Sequence, residues 1–60
     1  MGRWLVQVDY QDSSGATKHW EGEVEAETVD AANEAGVRRL RQERHDVAGG
    51  IDVFAEPLPG

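Results

Sequence analysis

The chain has no cysteine, only two prolines, a single lysine (Lys18) and no long apolar run. Without thiols it can form no disulfide, and structural zinc held by thiolates is excluded. The absence also suits a reducing compartment. No stretch approaches the roughly 20 apolar residues of a membrane-spanning helix, and no signal-peptide core follows Met1. The expected setting is therefore cytoplasmic, away from membranes. Aromatic residues are scarce as well: Trp4, Trp20, Tyr10 and Phe54 are the whole set. A chain of 60 residues is one domain at most, and at that size only about 60% of the unfolded surface is buried on folding. Stability must come from the tryptophans, a modest aliphatic set or a partner subunit, so oligomerisation is expected on size alone.

Basic residues are too few to balance the acids, and the formal charge is −6. That balance disfavours non-specific binding to nucleic acid or anionic membranes. The imbalance lies entirely in residues 1–36, where eight acids face Arg3 and Lys18; residues 37–60 are neutral.

What is present is periodic. Arg3–Tyr10 alternates, with Trp4, Val6, Val8 and Tyr10 on one face and Leu5, Gln7 and Asp9 on the other. Gln11-Asp12-Ser13-Ser14-Gly15-Ala16 is a turn cluster, rich in short side chains that bond to backbone and closed by a glycine. The return strand, 17–28, places Glu21, Glu23, Glu25 and Glu27 on one face and Trp20, Val24 and Ala26 on the other. Gly22 interrupts the apolar face, which reads as a bulge or as room for a bulky neighbour such as Trp4.

Thr28 reads as a helix N-cap, with Asp30 and Glu34 near the positive end of the dipole. A helix over 29–44 carries a stripe of Val29, Ala32, Gly36 and Leu40, small enough to sit close to a sheet that supplies bulk as Trp4 and Trp20. Gly49-Gly50 reads as a flexible stop. A third strand, 51–56, turns Ile51, Val53 and Ala55 inward, and residues 57–60, with Pro57 and Pro59, form a tail.

The order is β-β-α-β. A right-handed crossover places the third strand beside the first, giving an antiparallel α+β sheet of order 2-1-3 with one helix on one face. This is a split β-α-β unit whose other sheet face nothing in the chain covers.

Three readings of function follow. The leading one is a non-enzymatic protein-interaction module that uses the outer sheet face. There Leu5 and Phe54 form an apolar spot rimmed by Glu21, Glu23, Glu25, Glu27 and Asp52. Its partner is another protein or a second copy, giving a homodimer. A second reading is a nucleic-acid accessory using Arg38, Arg39, Arg41 and Arg44, although a helix end that suits cations explains the same residues. The third is a metal or small-ligand binder at the glutamate stripe with His19, but extended strands spread carboxylates too far to enclose a hard cation. No metal site and no cofactor are assigned.

Catalysis has little to draw on. His19 shares a face with Glu21, but the candidate nucleophiles Ser13, Ser14 and Thr17 sit in or beside a turn. No phosphate-cradling loop, nucleophile elbow or metal-binding helix motif is present.

The junction Val24-Glu25-Ala26-Glu27-Thr28-Val29-Asp30-Ala31-Ala32 ends a strand in Val-x-Ala, caps a helix with Thr and places an Ala one turn in. With its Ala-, Arg-, Gly-, Val-, Asp- and Glu-rich composition, the chain resembles short ββαβ proteins encoded by GC-rich actinobacteria and their phages. The resemblance implies a small accessory protein that binds a host or phage protein in the host cytoplasm. It carries no catalytic residue over.

Overall fold

A computed structural model describes residues 1–59. Three strands and one helix follow one another as β1 (Gly2–Gln11), β2 (Thr17–Ala26), α1 (Val29–Glu43) and β3 (Gly49–Pro57). The sheet is antiparallel throughout, in the order β2-β1-β3. This is the α+β, ββαβ arrangement that the periodicity predicts.

The β1–β2 hairpin pairs without interruption from Gly2↔Ala26 to Gln11↔Thr17. Its turn is held by Asp12, whose carboxylate accepts from the Ser14 amide and hydroxyl and from the Ala16 amide. Gly15, at φ +85°, donates its amide to the Asp12 carbonyl, a left-handed conformation that glycine adopts without strain. Asp46, beyond the helix, accepts from the Ser13 amide and hydroxyl at 3.0 and 2.9 Å, so the turn is tied to the α1–β3 connection.

The core lies between the helix and one sheet face, and comprises Val6, Val8, Tyr10, Trp20, Val24, Ala26, Ala32 and Leu40. Thr28 caps the helix, its hydroxyl accepting from the Ala31 amide at 3.1 Å. Val29 departs from the expected stripe: it is 47% exposed, because at the first helical position the chain is still rising off the end of β2. The stripe is Ala32, Gly36 and Leu40, with Ala35 partly buried beside it.

Both inner-face glycines have a packing reason, though neither involves Trp4. A Cβ at Gly36 would overlap Val6, meeting its own Cβ at 2.9 Å, so the absent side chain is what lets the helix approach β1. A Cβ at Gly22 would lie 2.6 Å from Trp20 Cη2. Gly22 therefore makes room for the indole two residues before it on the same strand, and no bulge is needed. Trp4 is half-buried at the sheet end, its indole N–H donating to the Ala26 carbonyl at 3.0 Å.

β1 gains a residue at each end and the helix ends one residue early; three further boundaries differ with a clear cause. β2 stops at Ala26, because β1 begins opposite it at Gly2 and offers nothing for Glu27 or Thr28 to pair with. β3 starts at Gly49, not 51: the glycines enter the ladder through a register shift opposite Asp9–Gln11, with Gly50 in the left-handed region at φ +62°. At the other end Pro57 still pairs with Trp4 and the Leu58 amide donates to the Arg3 carbonyl at 2.8 Å. Pro57 is thus the last residue of the sheet and Leu58 is tied to it by one bond, so neither is a free tail; Gly60 lies outside the described residues.

Candidate functional site

The outer sheet face is built by alternation. Across the three strands in the order β2, β1, β3, its rows read Glu23–Leu5–Glu56, Glu21–Gln7–Phe54 and His19–Asp9–Asp52. Leu5 and Phe54 are therefore diagonal neighbours on adjacent strands, about 7–8 Å apart in backbone terms and within reach of an aromatic side chain. Leu5 is half-buried, while Phe54 is 68% exposed. Carboxylates flank the pair: Glu21 and Glu23 on the β2 side, Glu56 and Asp52 on β3. Glu25 sits opposite Arg3 at the end of the same face, and Arg3 reaches diagonally to Glu23 at 2.6 Å. Glu27, expected in this stripe, is not on the strand. Glu56 belongs to the rim and was missed, although its alternation with Phe54 and Asp52 marks it.

His19 is more constrained than its own strand suggests. Its Nδ1 lies 2.8 Å from Asp9 Oδ1 and its Nε2 3.3 Å from Glu21 Oε1. Asp9 is its cross-strand partner, which only the register reveals. The Asp9 carboxylate, and after it Glu21, favour the imidazolium and hold the His19 pKa above its usual value. In its protonated form the ring donates from both nitrogens and carries no lone pair. The serine hydroxyls are committed elsewhere, Ser13 to Asp46 and Ser14 to Asp12. Ser14 is the first cause of an Asp12 pKa below the usual carboxylate value.

The four arginines do not form one patch. Arg39 turns toward β2: its guanidinium donates to the Glu23 carbonyl and to Glu43, and lies 5.8 Å from the centre of the Trp20 ring. Glu43 in turn accepts from the Trp20 indole at 3.1 Å, the first cause of its lowered pKa. Arg44 caps the helix end, its amide bonding to the Leu40 carbonyl. Only Arg38 and Arg41 share a surface, a shallow depression on the helix with Asn33, Glu34 and Val37. The ion pair along the helix is Arg39–Glu43.

A second shallow depression, between Tyr10, Lys18, Glu43, Arg44, His45 and Asp46, carries charges of both signs at the turn end. Among the described residues no group of three or more His, Asp or Glu is placed to hold a metal ion, and no helix is long and apolar enough to cross a membrane. No protein-family model, curated protein or solved structure matches the chain.

Proposed function

We propose that the chain is a non-enzymatic accessory module that binds a basic protein surface through its outer sheet face. The observation that carries this reading is the Leu5–Phe54 diagonal among carboxylates, on a face that no described element covers. An apolar centre with a polar rim is the usual anatomy of a protein interface. The rim specifies the partner's charge. Asp9, Glu21, Glu23, Glu25, Asp52 and Glu56 are opposed on this face only by Arg3 and by His19 when protonated. Two such faces repel one another, so the face fits a basic partner with an apolar centre better than its own copy. Charge of this kind acts mainly on the rate and selectivity of association, and the apolar centre on its lifetime.

The test is capture of proteins from cell extract by the wild type and by Phe54→Ser and Leu5→Ser. A protein held by the wild type, released by high salt and lost to both variants carries the reading. An identical bound set on all three baits overturns it.

A further inference from the structure

The two free edges of the sheet differ in what they leave unpaired. In an antiparallel ladder, successive residues turn their N–H and C=O groups alternately to the two sides of the strand. The bond from the Leu58 amide to the Arg3 carbonyl fixes the phase of β3. Glu56, Phe54 and Asp52 bond to β1, while Val53 and Ala55 turn their backbone groups outward; Ile51 lies at the register shift opposite Asp9–Gln11. By the same count the outer edge of β2 presents Glu21, Glu23 and Glu25, and there Arg39 occupies the Glu23 carbonyl. Among the described residues, no side chain or loop bonds to the outward groups of Val53 and Ala55.

The side chains of Ile51, Val53 and Ala55 point to the same conclusion. They face the helix layer, yet all are only half-buried, whereas Trp20, Val24 and Ala26 on β2 are buried. The helix leans toward β2, so the β3 side of the core has an unfinished wall as well as an open edge.

We infer that β3 pairs antiparallel with β3 of a second copy, about a two-fold axis at Val53, to form one continuous six-stranded sheet. Register selects this axis. Centred on Val53, the outward groups of Val53 meet their own counterparts, and Ala55 stands opposite Ile51 of the second copy. On the outer face Asp52 then stands opposite Phe54, and Gly50 opposite Glu56. Centring on Phe54 would oppose Asp52 to Glu56, and centring on Asp52 would oppose that residue to itself; like charges directly opposite are destabilising. Centring on Phe54 would also set Ile51 against Pro57, which has no N–H to give.

Charge and shape allow the arrangement. Glu21, Glu23 and Glu25 lie on β2, the strand farthest from the join, and Asp52 and Glu56 of β3 meet acids of the second copy only diagonally. Because each helix leans away from β3, the two axes stand more than a helix diameter of about 10 Å apart. Ile51, Val53 and Ala55 of both copies then form a shared apolar floor between the helices.

The inference does not require the proposed partner. It does bring the two Leu5–Phe54 spots together across the join as one longer acid-rimmed strip.

The absence of native cysteine makes the test direct. Light scattering over a concentration series should give twice the mass of one chain. Opposed Cα atoms at Val53 would lie about 5.5 Å apart, within disulfide range. Under mild oxidation Val53→Cys should therefore cross-link to itself. Ile51→Cys and Ala55→Cys should cross-link only when mixed with one another. Val53→Pro deletes an N–H that the chain's own ladder does not use, so circular dichroism should show a folded chain whose dimer dissociation constant rises more than tenfold. A mass of one chain at every concentration overturns the inference. So does cross-linking of Leu5→Cys or Phe54→Cys in place of Val53→Cys, or a folded Val53→Pro that dimerises as the wild type does. A Phe54→Ser protein that still dimerises but captures no partner separates this join from the partner-binding face.

Discussion

β2 and β3 flank the same central strand, alternate apolar and polar residues in the same way and are nearly equal in length, yet the chain treats them differently. On β2 the indole of Trp20 is buried over Gly22, Glu43 accepts its N–H, and Arg39 lies over the ring while reaching the Glu23 carbonyl at the strand's edge. Helix and strand are thus bound by packing, a hydrogen bond and a cation–π contact within one turn of α1. On β3 the inward residues Ile51, Val53 and Ala55 are smaller than Trp20 and only half-buried. The difference shows how a small domain spends a single helix. Fifteen residues of helix close one side of a three-stranded sheet thoroughly and leave the other side half-buried. Edge protection differs less: β2 carries carboxylates and Arg39, and β3 carries Asp52, Glu56 and the terminal Pro57.

The strongest way to break this contrast is to empty each side in turn. Trp20→Ala should lose about 3–5 kcal/mol, enough to unfold most of a chain this small, and Val53→Ala only about 1 kcal/mol at protein concentrations where the chain is monomeric. Urea melts of the two variants measure the difference directly. Equal losses would mean that the two sides are closed alike.

Arg39→Ala sharpens the contrast at the edges. It removes a bond to a backbone carbonyl and a cation over an indole, for an expected loss of about 1 kcal/mol in the same urea assay. The molar mass by light scattering should not change, because the β2 edge keeps its carboxylates. A gain in mass would show that Arg39 alone protects that edge.

The smallest effect concerns pH. His19 ties β2 to Asp9 of β1, and β3 has no titrating counterpart near neutrality. Its folded pKa is raised, chiefly by Asp9, so its contribution is complete below the unfolded value of about 6.5. It is lost as pH rises through the higher folded value. The wild-type melting temperature should fall slightly over that window, and the fall should be absent in His19→Gln. An unchanged slope in the variant would assign the effect to another group.

Much of this was readable one residue at a time. Alternation at period two separated Leu5, Phe54 and the glutamates from Trp20, Val24 and Ala26, and the Asp12–Gly15 cluster announced the turn. Thr28 announced the helix start, and β-β-α-β order with a right-handed crossover led to the 2-1-3 sheet. Local rules failed wherever a residue's role depends on what stands across from it. Gly22 serves Trp20 on its own strand, and Gly36 serves Val6, not a tryptophan. Glu27 shares the parity of the other glutamates but has no strand opposite to hold it in the sheet. Gly49 and Gly50 looked like a stop until a register shift drew them into the ladder. Of the candidate site, the outer face and its apolar pair were legible; the His19–Asp9 contact and the diversion of Arg39 were not, since both join residues far apart in the chain.

The sequence by itself determined which side of each element is dry, because the periods of strand and helix are properties of the backbone, and it determined the strand order, because handedness leaves few ways to connect four elements. Tertiary structure alone decided which edge is closed. Whether the helix sits over β2 or β3 depends on a balance of contacts among Trp20, Gly22, Gly36, Val6, Arg39 and Glu43, none of them neighbours in the chain, and a pattern read along the chain carries no record of that balance.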